Sequence, residues 1–226
     1  MMKPSHSLLQ AQVQRQNIPS GLMQVSTMLI IFRAFVMRSL SYHIAANPQV
    51  QQKLLQELKP VMPFSNSTVD LTKLENLKYL TAILQEGLRL AMPVSHRVVR
   101  IFQHKELVYD GKVIPPGTTV GMTPLLIHQN DNIFPDAYQF KPERWLGDDS
   151  LQKYLLAFSR GTRSCTGVNL AWAELYLVMA KVFRQFNFDV SQVVRERDID
   201  IARDVLLGVP RSDSEGIKVK ILAIAD

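Results

Sequence analysis

Apolar residues recur along the chain with two different periods, and the change of period divides it. Over residues 1–40 neither period is clean: the apolar stretch 22–37 is broken by Arg33, short of the roughly 20 mostly apolar residues that a membrane span needs. From Leu40 the pattern becomes regular. Residues 41–48, Ser-Tyr-His-Ile-Ala-Ala-Asn-Pro, close one helix. Pro48 suits the first turn of the next, which does not use its N–H. That next helix is predicted over 49–58, with Leu54, Leu55 and Leu58 on one face. Pro60 and Pro63 stop it, and 65–68 reads as loop. A longer helix is predicted over 76–90, where Leu77, Leu80, Leu84 and Leu88 lie three or four apart and form a buried stripe.

After Pro93 the period falls to two. Residues 97–102, 106–109, 112–114 and 118–123 read as short strands, and Asp110-Gly111 signals a hairpin. Residues 128–145 are Pro-rich and irregular. A core helix is predicted from Gly167, with Ala171, Leu175, Val178, Met179, Val182 and Phe186 on one face. Residues 188–190, 199–202 and 217–222 read as closing strands. The pattern as a whole predicts an α+β fold, mainly α.

The candidate chemistry sits just before the last long helix, in Phe158-Ser-Arg-Gly161-Thr-Arg163-Ser-Cys165-Thr-Gly167. Cys165 is the only cysteine, so neither a disulfide within the chain nor a multi-cysteine zinc site can form. Gly161 and Gly167 leave the backbone free to turn sharply and to approach a bulky planar ligand. The helix that follows starts with free N–H groups and the positive end of its dipole, and Arg163 adds a cation. Both supply positive potential at the sulfur, which suits a metal-bound thiolate. The plain alternative is a buried structural cysteine, against which a loop with two Gly and two Arg is a poor core.

The pattern Phe-x-x-Gly-x-Arg-x-Cys-x-Gly resembles the cysteine loop of the haem-thiolate monooxygenases, the cytochrome P-450 family. The resemblance implies the C-terminal part of that fold, with short β-sheets and a proximal cysteine loop. It implies haem b as cofactor, Cys165 as the proximal iron ligand, Phe158 beside the porphyrin, and Arg163 with a haem propionate. Arg100, with Arg97 or His96 as further candidates, stands where family members place a propionate partner; a solvated loop histidine is the plainer reading of His96. Glu86-x-x-Arg89 and Pro142-Glu143-Arg144-Trp145 resemble the family's Glu-Arg-Arg lock, made here by Glu86, Arg89 and Arg144. Taken alone, Glu86 and Arg89 would be an ordinary helical ion pair of small worth. His128 reads as a hydrogen-bonded structural residue, not as a second iron ligand.

The resemblance runs from about residue 40 to 222, so residues 1–39 are expected to be an unmatched, acid-free leader and 40–226 the haem-binding region. The turns, Phe134-Pro135-Asp136 and Pro142-Glu143-Arg144-Trp145-Leu146, look like those of microsomal-type enzymes of filamentous fungi. An endoplasmic-reticulum address and a role in secondary metabolism follow by resemblance, although no clear membrane span is visible. Family members carry an acid and a threonine on the distal helix; the region near residues 28–37 contains neither. A truncated form with inefficient monooxygenation is therefore the expectation, together with an exposed apolar surface near Val94 and Leu125. A catalytically inactive haem-binding remnant and, more remotely, a cysteine-nucleophile hydrolase are the alternatives.

Charge narrows the partners. The net charge of +6 comes mostly from residues 1–56, where Lys3, Arg15, Arg33, Arg38 and Lys53 meet no acid. No basic stripe interleaved with aromatics appears, so nucleic acid is not an expected partner. Lys153, Arg160, Lys181 and Arg184 near the cysteine loop suggest a basic face for an acidic, NADPH-dependent reductase. A small apolar molecule is the expected substrate.

Overall fold

A computed structural model describes residues 34–147, 149–205 and 207–223; the sequence readings on residues 1–33 lie outside these. The first helix, α1, covers residues 34–45, so regular structure is present six residues before the pattern in the sequence turns regular. Helix α2, Pro48–Leu58, begins with its proline in the first turn. A short helix α3, Leu71–Glu75, precedes α4, Lys78–Ala91. Helix α4 starts later than residue 76, and the reason is a cap from another element. The Glu57 carboxylate of α2 accepts from the Tyr79 and Leu80 amides, both at 2.8 Å, satisfying N–H groups that a helix start leaves free.

The strands pair as two-residue to four-residue antiparallel ribbons. β1 (Val98–Ile101) pairs with β4 (Thr119–Met122), and β2 (Leu107–Tyr109) with β3 (Lys112–Ile114). In the β2–β3 hairpin Asp110 and Gly111 take φ of 50° and 71°, the left-handed pair a tight two-residue turn demands. Helix α5, Pro124–His128, follows β4 and is capped by the Thr123 hydroxyl, which accepts from the Leu125 amide at 3.2 Å. The sequence had assigned no helix there. The long helix α6, Val168–Gln185, runs into β5, Phe186–Asp189, which pairs with β8, Lys220–Ala223.

Two expectations fail near the C-terminus. Residues 199–202 are not a strand: a helical turn α7, Arg195–Asp198, stands before them, and the short ribbon β6–β7 (Arg203–Asp204 with Gly208–Val209) follows. The buried Asp198 carboxylate accepts from the Val194 amide at 3.0 Å and from the hydroxyl of the distant Ser214, a competitor to ladder bonding. On α6 the inward face is Leu175, Tyr176, Met179, Ala180 and Phe183. Val178 is 36% exposed, and Phe186 has left the helix. The buried stripe is therefore rotated from the expected one.

Helix α4 is the centre of the molecule, buried on two opposite sides. Leu80, Ile83, Leu84 and Leu88 pack with Leu40 and Ile44 of α1, Leu54 and Leu58 of α2, and Met179 and Phe183 of α6. Truncating any of these leucines to alanine costs about 2–5 kcal/mol. The opposite side of α4 carries Ala82, which packs with Phe134, Ala137 and Trp145 of the irregular segment. Gly87 is where α1 and α4 come closest: a Cβ there would lie 2.0 Å from Leu40 Cδ2. That crossing leaves no room for a side chain.

Candidate cofactor site

Residues 156–167 reach α6 through a loop with defined bends. Ser159 (φ 60°) and Gly161 (φ 77°) both adopt left-handed backbone, which Gly161 does without strain. A 3-10 turn follows over Gly161–Arg163, and the Cys165 amide donates to the Phe158 carbonyl at 2.9 Å. Gly167, the N-cap of α6, has φ −91°, so its backbone conformation does not require glycine. A Cβ there would sit 3.9 Å from Cys165 Sγ, in ordinary contact. Of the two glycines, only Gly161 serves the sharp turn expected of both.

Cys165 lines a mostly apolar cavity of about 430 Å³, within the range of small-molecule and cofactor sites. Leu88, Ala171 and Leu175 from α4 and α6 form one part of its lining, and Pro93, Val94, Val98 and Pro124 another. Leu156, Ala157, Phe158 and Ser159 complete it beside the cysteine. Val36 and Met37 of α1 also face it, although the sequence pattern had assigned them to the leader. Arg100 and Arg163 contribute the two cations of the lining. Arg100 donates to the Val99 carbonyl at 3.0 Å, and Arg163 is exposed.

These residues fit a flat apolar macrocycle that carries carboxylates and a soft metal. The apolar lining suits the ring, the two guanidiniums suit the carboxylates, and the one sulfur could supply a ligand to a metal. Among the described residues no cluster of three or more His, Cys, Asp or Glu could hold a metal ion. Phe158 stacks obliquely on Trp172, with ring centroids 6.1 Å apart.

Other candidates are not in the cavity lining. His96 pairs with Asp204 at 3.1 Å, and the Ser95 hydroxyl donates to the same carboxylate at 2.9 Å. The stem of Arg97 lies against Gly121, where a Cβ would stand 3.0 Å from Arg97 Cγ. Arg184 is not part of a basic face: it is buried, donating from Nε to the Met62 carbonyl at 2.6 Å and from Nη2 to that of Pro63. It pins the loop after α2. Lys181 donates to the Ser67 carbonyl, and Arg160 to that of Gln152. Near the expected apolar surface, Leu126 is the strongly exposed side chain, while Val94 and Leu125 are half-buried. The apolar lining residues gave no sequence signal of their own, because cavity walls and core share one pattern.

On the other side of α4 lies a buried charged network. Glu86 accepts from Arg89 Nε at 2.9 Å and Nη2 at 2.8 Å, from Arg144 Nε at 3.1 Å, and from the Trp145 indole at 2.9 Å. The Lys141 amide adds a fifth bond at 3.0 Å. Arg89 Nη1 donates to the carbonyls of His128 (2.6 Å) and Ala137 (2.7 Å), and Nη2 reaches that of Gln139 at 3.3 Å. All five guanidinium N–H groups of Arg89 are thereby engaged, and the plane lies 5.0 Å from the Phe134 ring. The irregular segment is thus held to α4 by charge-assisted bonds to its backbone.

His128 and His43 are both buried, His43 stacked on Phe140 at 4.9 Å. Burial pulls the His128 pKa down to about 4, with the Arg89 charge adding to the effect, and burial pulls His43 down to about 3. In the unfolded chain both titrate near 6.5. Stability is therefore fully present above pH 6.5 and falls as the pH drops toward 4, because the unfolded state takes up protons that the fold refuses. Each histidine contributes a slope of up to about 1.4 kcal/mol per pH unit. Urea midpoints should fall between pH 7 and pH 5; a flat profile over that interval would contradict neutral burial of these rings.

A family model described as Cytochrome P450 matches residues 34–214. The chain is 43% identical over 184 residues to the cytochrome P450 monooxygenase MO6277 of Ascocoryne sarcoides, covering 80% of this chain and 36% of that protein. It is 38% identical over 192 residues to the tryptophan 6-hydroxylase fscE of Fusarium equiseti, covering 83% and 37%. To the N-acetyltryptophan 6-hydroxylase ivoC of Emericella nidulans it is 36% identical over 192 residues, covering 82% and 37%. The chain spans little more than a third of the length of these curated relatives.

Proposed function

Since the chain belongs to the cytochrome P450 family, we propose that it is the haem-binding region of a haem-thiolate monooxygenase, with Cys165 as the iron ligand. The observation that carries this reading is a lone thiol facing an apolar cavity whose lining also holds two arginines. Haem b, when bound, would supply iron chemistry that inserts one atom of dioxygen into an apolar substrate, favoured by the electron density of a thiolate.

The chain's own residues prepare the site. Cys165 offers the sulfur three residues before α6, whose free N–H groups and dipole set a positive potential there. Gly161 supplies the turn that brings the loop back toward Phe158, whose ring packs at the cavity wall. Arg100 and Arg163 are assigned to the propionates, where a planar guanidinium fork can bind a carboxylate through two parallel bonds. Leu88, Val94, Val98 and Leu175 keep water from the ring, which strengthens those charge interactions. Gly167 is assigned to leave the space beside the sulfur open, where a Cβ would stand 3.9 Å from it, and Glu86, Arg89 and Arg144 are assigned a structural role in holding the irregular segment.

The haem-binding region is assigned to the described chain from residue 34 onward, α1 included, because Val36 and Met37 line the cavity. Two relatives are named for hydroxylating tryptophan and N-acetyltryptophan, so small indole-bearing molecules of secondary metabolism are the first substrates to screen. An NADPH-dependent reductase would meet Lys153, Arg160 and Lys181, without the buried Arg184. No described helix is long and apolar enough to cross a membrane; an endoplasmic-reticulum address belongs to the same proposal. The hydrolase reading has nothing in its favour, since no hydrogen bond joins Cys165 to a histidine among the described residues and both buried imidazoles are engaged elsewhere.

The test is a haem titration of the purified chain followed by reduction and carbon monoxide. One haem per chain with the red-shifted Soret band of thiolate ligation is expected. A carbon monoxide complex that shows only the band of a neutral or nitrogen ligand refutes the reading.

A further inference from the structure

We propose that His128 is a positioning residue: its imidazole ties the end of α4, where Arg89 is anchored, to the strand of backbone that holds the Cys165 loop. This rests on the reading of Cys165 as iron ligand, and extends it to a residue with no contact to the sulfur.

The two ring nitrogens serve two different segments. Nδ1 lies 3.1 Å from the Arg89 carbonyl in the last turn of α4, with Met92 Sδ beside it, and Nε2 lies 2.8 Å from the Leu156 amide. A carbonyl can only accept and an amide N–H can only donate. The ring is therefore neutral, with its proton on Nδ1. Leu156 begins the part of the cavity wall that runs through Ala157 and Phe158. The Phe158 carbonyl, two residues on, accepts from the Cys165 amide at 2.9 Å. On the other side, Arg89 Nη1 donates to the His128 carbonyl at 2.6 Å. An unbroken path of hydrogen bonds and short backbone thus runs from the buried Glu86–Arg89 pair through His128 to the cysteine.

A histidine suits this place because its rigid ring carries an N–H and an acceptor at fixed separation on opposite sides. Asparagine can replace the Nδ1 side alone. Glutamine reaches the Nε2 side and can still accept from Leu156. If the ring merely filled the core, the two variants would differ from the native chain in stability and in nothing else.

The experiment compares the native chain, His128→Asn and His128→Gln. Amide exchange is followed at Leu156 without haem, and the ferrous carbon monoxide spectrum with haem. His128→Asn should speed exchange at Leu156 about tenfold beyond the change at reporter amides in α2, as expected for one lost hydrogen bond. It should also weaken haem binding roughly tenfold, at the low end of what removal of a ligand-orienting partner does, and raise the share of the band that lacks the thiolate shift. His128→Gln should recover most of both. Should His128→Asn not fold, His128→Gln must still show near-native Leu156 protection and thiolate band for the proposal to stand. Uniformly faster exchange with an unchanged thiolate share in the folded fraction overturns it, as does a His128→Gln no better than His128→Asn. A native chain without the thiolate band would instead refute the assignment of Cys165, and is read separately from these comparisons.

Discussion

Replacing Arg89 by alanine is expected to remove about 3–5 kcal/mol of folding stability, the cost of leaving one partner of a buried ion pair alone. The Glu86 carboxylate and the Arg89 guanidinium are both completely buried. The substitution deletes five donors at once, strands the carbonyls of His128 and Ala137, and leaves the buried Glu86 carboxylate with Arg144 as its one charged partner among the described residues. Against a typical total of about 5–15 kcal/mol, that is enough to leave much of the chain unfolded at 37 °C. Arg89→Lys should rescue little, because an ammonium cannot reproduce the planar fork.

Arg144→Ala should cost less, about 1.5–3 kcal/mol, the range of one hydrogen bond to a charged group. Arg144 Nε makes one bond to Glu86, and its remaining bonds go to the carbonyls of Pro135 and Asp136 at the surface. Both arginines share the Glu86 oxygens, so the double variant should lose less than the sum of the single losses. A chemical-denaturation cycle measures this, and additive losses would argue against a single network.

The second large effect is expected at Cys165. Cys165→Ser should abolish the thiolate-shifted band of the ferrous carbon monoxide complex, since an unionised hydroxyl is a poor donor to iron and no other cysteine exists to substitute. Cys165→His should retain some haem, because the apolar lining and the two arginines remain, but with the band of nitrogen ligation. Cys165 is only half-buried, on the cavity lining. Both variants should therefore fold with denaturation midpoints near the native one. A shifted band that persists in Cys165→Ser would remove the assignment of the sulfur.

Local chemistry accounts for what was legible in the sequence. Pro48 at a helix start, Asp110-Gly111 at a hairpin, and the spacing of Leu80, Leu84 and Leu88 each act over a few residues. Their outcomes in α2, the β2–β3 turn and α4 therefore follow from short-range sterics and periodicity. The bend at Gly161 was legible for a similar reason: a left-handed φ there is a property of one residue.

Tertiary structure decided the rest, because those outcomes depend on partners distant in the chain. A Glu57 carboxylate from α2 sets where α4 begins. The carbonyls of Met62 and Pro63 draw Arg184 inward from a face where its charge alone would have placed it outside. Asp198, bonded to Val194 and to the distant Ser214, holds a helical turn immediately before the residues expected as strand. Val36 and Met37 become cavity wall only because α1 crosses α4 at Gly87. His128 links α4 to the cysteine loop only after α5 has carried it between Arg89 and Leu156. Periodicity states which residues are apolar and which carry charge; a buried polar group takes the partner that folding brings within hydrogen-bond distance, and that distance is not written in the spacing of the chain.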